Sequence, residues 1–282
     1  MTQLIAGLSD VADRYDVLLC DVWGVIHNGR EAFPAACAAL ARWRRERGPV
    51  ILISNSPRPA ADVISQLDAL GVPREAWSAF VTSGDATRVL LAERAPGPAW
   101  RIGPDRDAPL YEGLGLTFAG PDEADFIACT GPYDDEVETP EDYRADFQRA
   151  VARGLTMICA NPDKVVQRGE RLIYCGGALA DLYTDLGGAV LMAGKPYKPI
   201  YDLALAQAGA ALNGAFDPAR VLAIGDGIPT DLLGANANGL GVLFIAAGIH
   251  GGETMGLDAE AIDALLARHG ARAKLVMSEL VW

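Results

Sequence analysis

The sequence predicts an α/β protein whose core is a doubly wound parallel sheet, with a second α/β unit inserted into it. Three observations carry that expectation. Short apolar runs without a 3.6-residue period, such as Val17–Cys20, Val50–Ile53 and Val221–Ile224, read as strands buried on both faces. Helical patterns with start and stop residues alternate with these runs. The rhythm breaks near Ser83 and resumes after Leu191.

Taken in order, Val17–Cys20 runs into Asp21 and then Gly24, a strand that stops and turns. Pro34 opens a helix that Gly48 closes, with Arg44, Arg45 and Arg47 suiting the negative end of the helix dipole. Val50–Ile53 is a strand ending on Ser54-Asn55, Ala60–Leu70 a helix stopped by Gly71, and Ala79–Thr82 a third strand. In the middle of the chain, Ala86–Glu93 reads as a helix and Ala95-Pro96-Gly97-Pro98 as a loop. Strands are expected at Trp100–Ile102, Leu116–Phe118, Phe126–Cys129 and Leu155–Ala160, and helices at Thr139–Gly154 and Ala178–Leu186. The core pattern returns with a helix from Lys195-Pro196 to Ala210 and the strand Val221–Ile224. A helix at Asp231–Asn236, a strand at Val242–Ile245, a helix at Ala259–His269 and a strand at Lys274–Met277 complete it.

The 24 basic and 37 acidic residues leave a net charge of −13. Such a surface repels nucleic acid and anionic membranes, so neither is an expected partner. No run of apolar residues is long enough for a membrane span, and Met1–Asp16 lacks a secretory pattern. The five cysteines show no CxxC or Cys/His zinc spacing, which fits a reducing cytoplasm.

Polar residues collect where the strands end: Asp21, Ser54-Asn55, Lys195 and Gly225-Asp226-Gly227-Ile228-Pro229-Thr230-Asp231. Ligands of open α/β sheets bind at the carboxyl ends of the strands, so parallel strands bring these residues to one rim. An Asp that merely caps a turn is the plain alternative for Asp21 alone; the other stretches argue against it. Asp21 and Asp226 would repel one another unless a cation lay between them. An all-oxygen ligand set with room for water and a phosphate suits Mg²⁺. A carboxylate beside that ion can attack a phosphoryl group.

At this point the chain resembles the haloacid dehalogenase-like phosphohydrolases, in particular their class IIA members. The motifs are LLCDVWGV, ILISNS, the GKPYKP lysine and LAIGDGIPTD, in that order. Ala160-Asn161-Pro162-Asp163 and Cys175-Gly176-Gly177-Ala178-Leu179 resemble the class IIA cap. The resemblance implies a Rossmann-like catalytic core over 1–82 and 192–282, and an inserted α/β cap of the C2 type over 83–191. It implies that Asp21 is the nucleophile and a metal ligand, that Trp23 lends its backbone carbonyl to Mg²⁺, and that Asp226 is a further ligand. Asp231 would support the metal shell, Ser54 and the Asn55 amide would hold the transferring phosphoryl, and Lys195 would neutralise charge. Asn161 and Asp163 would touch the leaving group from the cap. The implied substrate is a small phosphorylated metabolite, sugar phosphate or nucleotide-like, and a homodimer is a possible assembly.

One position departs from the pattern. The resembled phosphatases carry an acid/base Asp two residues after the nucleophile, where this chain has Trp23. General acid–base help contributes ~10²–10⁴-fold, and an indole transfers no proton. Three explanations follow: another donor, a leaving group that needs no proton, or a protein that binds a phosphometabolite without turnover. His27 and His250 are the candidate donors, with His27 also placed to reach phosphate; a surface loop histidine is the plain alternative for each. Dehalogenases of the superfamily also lack this Asp, but they need no metal, and Asp226 with Asp231 favours phosphoryl chemistry.

Overall fold

The computed structural model describes residues 2–168, 171–248, 254 and 258–282. The first part of the chain forms β1 (Gln3–Leu4), β2 (Val17–Asp21), α1 (Pro34–Glu46), β3 (Val50–Ser54), α2 (Ala60–Ala69) and β4 (Ala79–Thr82). The middle forms α3 (Ser83–Ala92), β5 (Ala99–Ile102), β6 (Phe126–Cys129), α4 (Arg144–Ala152), β7 (Thr156–Cys159), β8 (Val165–Arg168), β9 (Arg171–Tyr174), α5 (Gly176–Asp185) and β10 (Ala189–Met192). The last part forms α6 (Lys198–Leu212), β11 (Val221–Gly225), α7 (Leu233–Ala237), β12 (Gly241–Ile245), α8 (Ala259–Arg268) and β13 (Leu275–Met277).

These elements make two compact units: Met1–Ser54, Ile64–Val81 and Lys195–Trp282 in the first, Asn55–Val63 and Thr82–Gly194 in the second. The first holds the sheet β1-β13-β12-β11-β2-β3-β4, parallel at each pairing from β1 through β3. This is the doubly wound α/β core that the apolar runs predict. β2 is an interior strand between β11 and β3, and its Val17, Leu18, Leu19 and Cys20 have no exposed surface, as a strand covered on both faces requires.

The second unit has its own four-stranded parallel sheet, β10-β7-β6-β5. Alternation along β6 splits its core in two. Ile127 and Cys129 pack with Phe147, Tyr183 and Trp100, whereas Phe126 and Ala128 pack with Leu91, Leu110 and Tyr111.

Several expectations need correction. The segment Asn55–Val63, expected in the core, clusters with the second unit. Local hydrogen bonds account for this: Gly84 N–H donates to Ser56 O, Ala60 N–H to the Asp85 carboxylate, and Asn55 Nδ2 to Asp163. Leu116–Phe118 is not a strand; Gly113 and Gly115 hold positive φ just before it, and one bridge from Phe118 to Ala99 is all that forms. The helix after Lys195 starts at Lys198, because the proline of its first turn is Pro199 rather than Pro196. An antiparallel hairpin, β8 with β9, went unpredicted.

Leu19→Ala removes a fully buried side chain from the middle of the sheet, at an expected cost of ~2–5 kcal/mol. Hydrogen exchange should show lost amide protection in β2 and β3; unchanged protection would contradict the interior place given to β2.

Candidate active site

Register alone aligns the carboxyl edge of the first sheet. Asp21 stands opposite Ile53, so Ser54 lies one residue further along the neighbouring strand. On the other side Ile224 pairs with Cys20, which puts Gly225 level with Asp21 and Asp226 just beyond. Asp231 follows in a single π-helical turn, Ile228–Leu232, where its Oδ2 accepts the Gly227 N–H at 3.0 Å. Lys195 enters from the turn before α6, and its Nζ donates to Asp21 Oδ1 at 2.5 Å and to Asp231 Oδ1 at 2.7 Å. The structure thus brings Asp21, Lys195, Asp226 and Asp231 together, all buried.

The electrostatics of this cluster are unbalanced. Asp21, Asp226 and Asp231 each place an oxygen within 4.8 Å of the others. Three carboxylates against one ammonium give a formal charge of −2 (−3 + 1). Burial pushes the Asp21 carboxyl up to about 7, with Lys195 pulling down and Asp226 pushing up. Asp231 rises to about 7 through burial and the Asp21 charge, against the pull of Lys195. Burial opposes the Lys195 charge, yet Asp21 and Asp231 hold its ammonium well above the usual lysine range. Carboxyls that keep protons near neutral pH exchange them for a cation, and an oxygen-only set with this charge fits a hard divalent ion such as Mg²⁺.

Close backbone approach fixes Asp226. A Cβ at Gly24, where φ is +86°, would lie 2.2 Å from Asp226 Oδ2; a Cβ at Gly248 would lie 2.1 Å from the same oxygen. The carboxylate is therefore flanked by two glycine backbones, one after β2 and one after β12. The sequence marks Gly24 only as the turn that ends β2, and Gly248 carries no local signal.

Trp23 and His27 form a pair beside this turn. Their rings meet edge to face at 5.3 Å and 74°. His27 is 3% exposed, and its Nδ1 accepts the Gly29 N–H at 2.9 Å. Burial lowers its pKa to about 4, so at neutral pH it is an uncharged imidazole with its proton on Nε2. It lends no positive charge to a phosphate. His250 lies outside the described residues.

The remaining candidates belong to the second unit. Asn55 Nδ2 donates to Asp163 Oδ1 at 2.9 Å, and Asp163 N–H donates to Asn161 Oδ1 at 3.1 Å. The asparagine that follows β3 is thereby tied to the Asn161-Pro162-Asp163 turn. Ser54, by contrast, is the half-buried last residue of β3 in the first unit.

Comparisons with known proteins identify the family of the chain. A family model described as haloacid dehalogenase-like hydrolase matches residues 18–117, and a second, HAD-hydrolase-like model matches 192–274. The solved structure of a hydrolase of the haloacid dehalogenase-like family from Brucella suis is 46% identical, with TM-score 0.87, and the match covers 98% of this chain and 99% of that one. The 5'-nucleotidase YutF of Bacillus subtilis is 27% identical over 258 residues, 89% of this chain and 96% of its own length. A glycerol phosphate phosphatase from Mycobacterium tuberculosis, solved in complex with magnesium, is 26% identical with TM-score 0.64, over 85% of this chain and 70% of that one.

Two expectations follow from the geometry. Gly24→Ala should displace Asp226 and weaken Mg²⁺ binding at least ~10-fold in calorimetry with the fold retained, since loss of well-placed support costs a metal site 10–100-fold. The second concerns acid stability. Between pH 6.5 and about 4 the unfolded chain binds a proton at His27 that the folded chain refuses, so stability is complete above pH 6.5 and falls as pH drops through this window. The loss reaches about 3 kcal/mol, and His27→Asn should remove most of it from a urea-unfolding series against pH.

Proposed function

The chain belongs to the haloacid dehalogenase-like hydrolase family, in its class IIA branch, and from that premise we propose that it is a Mg²⁺-dependent phosphatase working through an aspartyl-phosphate on Asp21. Its substrates are small phosphorylated compounds, in keeping with a 5'-nucleotidase and a glycerol phosphate phosphatase among its relatives. The observation that carries the reading is the buried cluster of Asp21, Asp226 and Asp231 around Lys195, formally −2, at the carboxyl edge of the sheet.

Asp21 Oδ attacks phosphorus, and Lys195 beside it offsets the negative charge that attacker and phosphoryl group bring together. Asp21, Asp226 and the Trp23 backbone carbonyl would hold the Mg²⁺, with Asp231 supporting that set through its bond to Lys195. The ion would supply Lewis-acid neutralisation of the phosphoryl charge. Ser54 and the Asn55 amide would bind the phosphoryl oxygens. Asn161 and Asp163 would touch the leaving group, and the inserted segment, roughly 83–191, would serve as the cap that selects substrate.

Phosphate release from a panel of phosphorylated metabolites tests the reading. Wild type should require Mg²⁺, and Asp21→Asn should lose at least ~10³-fold in rate, because removing a nucleophile leaves only binding and electrostatic help. Release that survives Asp21→Asn would sink the proposal.

A further inference from the structure

Both oxygens of the Asp231 carboxylate are in use. Oδ1 accepts the Lys195 ammonium at 2.7 Å, and the same ammonium bonds Asp21. Oδ2 accepts the Gly227 N–H at 3.0 Å, and Gly227 follows Asp226 directly in the chain. Asp231 therefore steadies the surroundings of both carboxylates that the phosphatase reading gives to Mg²⁺. Its own footing is less secure. It sits in the widened π turn, where the Leu232 N–H reaches back five residues to Gly227 O at 3.2 Å. A cavity of about 10 Å³ adjoins it, lined by Leu19, Ile53, Ala223, Leu232 and Tyr201 among others. Atoms that face a void have no packing partner on that side, so packing alone does not fix the turn there.

Tyr201 supplies the missing hold. Its hydroxyl donates to the Asp231 main-chain carbonyl at 3.2 Å, and both residues are buried. Tyr201 lies on α6, six residues after Lys195, so one short stretch of chain grips Asp231 twice, at the carboxylate and at the carbonyl. The phenol ring is itself fixed. A Cβ at Gly234 would lie 2.4 Å from Tyr201 Oη, 2.6 Å from Cε2 and 2.7 Å from Cζ, so the ring rests on the backbone of α7. Gly29 carries the Trp23 indole in the same manner, with a Cβ there 2.2 Å from Cη2.

We propose that Tyr201 is a positioning residue of the metal site, whose hydroxyl holds the Asp231 turn so that Lys195 and Gly227 keep Asp21 and Asp226 set for a divalent cation. The identity of the ligands rests on the phosphatase reading above; Tyr201 acts through Asp231 and does not touch the ion. Partners that orient the ligands of a metal are worth about 10–100-fold in affinity. Tyr201 stands one residue further back, which places its effect at the lower end.

The test titrates Mg²⁺ into the protein by calorimetry, which needs no turnover. Tyr201→Phe should raise the Mg²⁺ dissociation constant about 10-fold. Tyr183→Phe is the matched control: it is fully buried in the second unit, and its hydroxyl donates to Leu155 O at 2.6 Å. It loses a bond of the same kind and should leave Mg²⁺ affinity as it is in wild type. Gly234→Ala keeps the hydroxyl but displaces the ring, so it should weaken Mg²⁺ in the same direction, and it decides the matter if Tyr201→Phe does not fold. Rate lost in Tyr201→Phe should return as Mg²⁺ is raised, with KM for the phosphorylated substrate unchanged. Wild-type affinity in Tyr201→Phe, or an equal loss in Tyr183→Phe, would overturn the proposal. Affinities that separate as stated in a chain that releases no phosphate would overturn the phosphatase reading alone. A wild type that binds no Mg²⁺ would overturn both.

Discussion

Three carboxylates meet one ammonium in a buried cluster, and the core unit is organised to hold them there. A single buried charge is costly to desolvate, and an unbalanced group of four is held only where many elements fix it at once. Asp21 and Asp226 come from adjacent parallel strands, Asp231 from the π turn after β11, and Lys195 from the turn before α6. Each is set by an element whose apolar side is buried in the sheet. The hydrophobic effect thereby supplies the rigidity that the electrostatics oppose.

This arrangement divides labour between position and charge. Lys195 bonds Asp21 and Asp231 directly, and Asp226 is packed between the backbones of Gly24 and Gly248. Beside it, a second group of residues is charge-free at neutral pH: an indole, a neutral imidazole and a glycine. The active-site edge therefore has an ionic side and an apolar side within a few residues of the same strand end.

Much of this was legible in the sequence for a physical reason. A strand buried on both faces leaves a continuous apolar run, so the polar residue that ends it stands out; Asp21, Ser54 and Asp226 were visible on that account. Lys195 and Asp231 stood out as polar residues at a helix start and a strand end, and the resemblance gave them their roles. What stayed hidden depends on long-range packing. Asn55 follows Ser54 in sequence, yet it joins the second unit because its partner Asp163 lies 108 residues away. The Gly248 contact with Asp226 has no local signature either. His27 looked like a proton donor on the rim, and only its burial and the Gly29 N–H make it a neutral support. The pairing of β8 with β9 did carry a signal, two short runs, Val165-Val166 and Leu172-Ile173-Tyr174, rich in β-branched and aromatic residues.

The contact between Gly29 and the indole has a consequence for comparing related chains. A φ of +83° alone tolerates asparagine or aspartate as well as glycine, so the backbone does not by itself demand glycine at 29. The ring does, because any β-carbon there would occupy the space of Cη2. Positions 23 and 29 are therefore coupled. Across a family tree, chains with tryptophan at the first should keep glycine at the second, and chains with aspartate there are free to drift. That covariation would sort the family into two chemical branches by reading two letters six places apart.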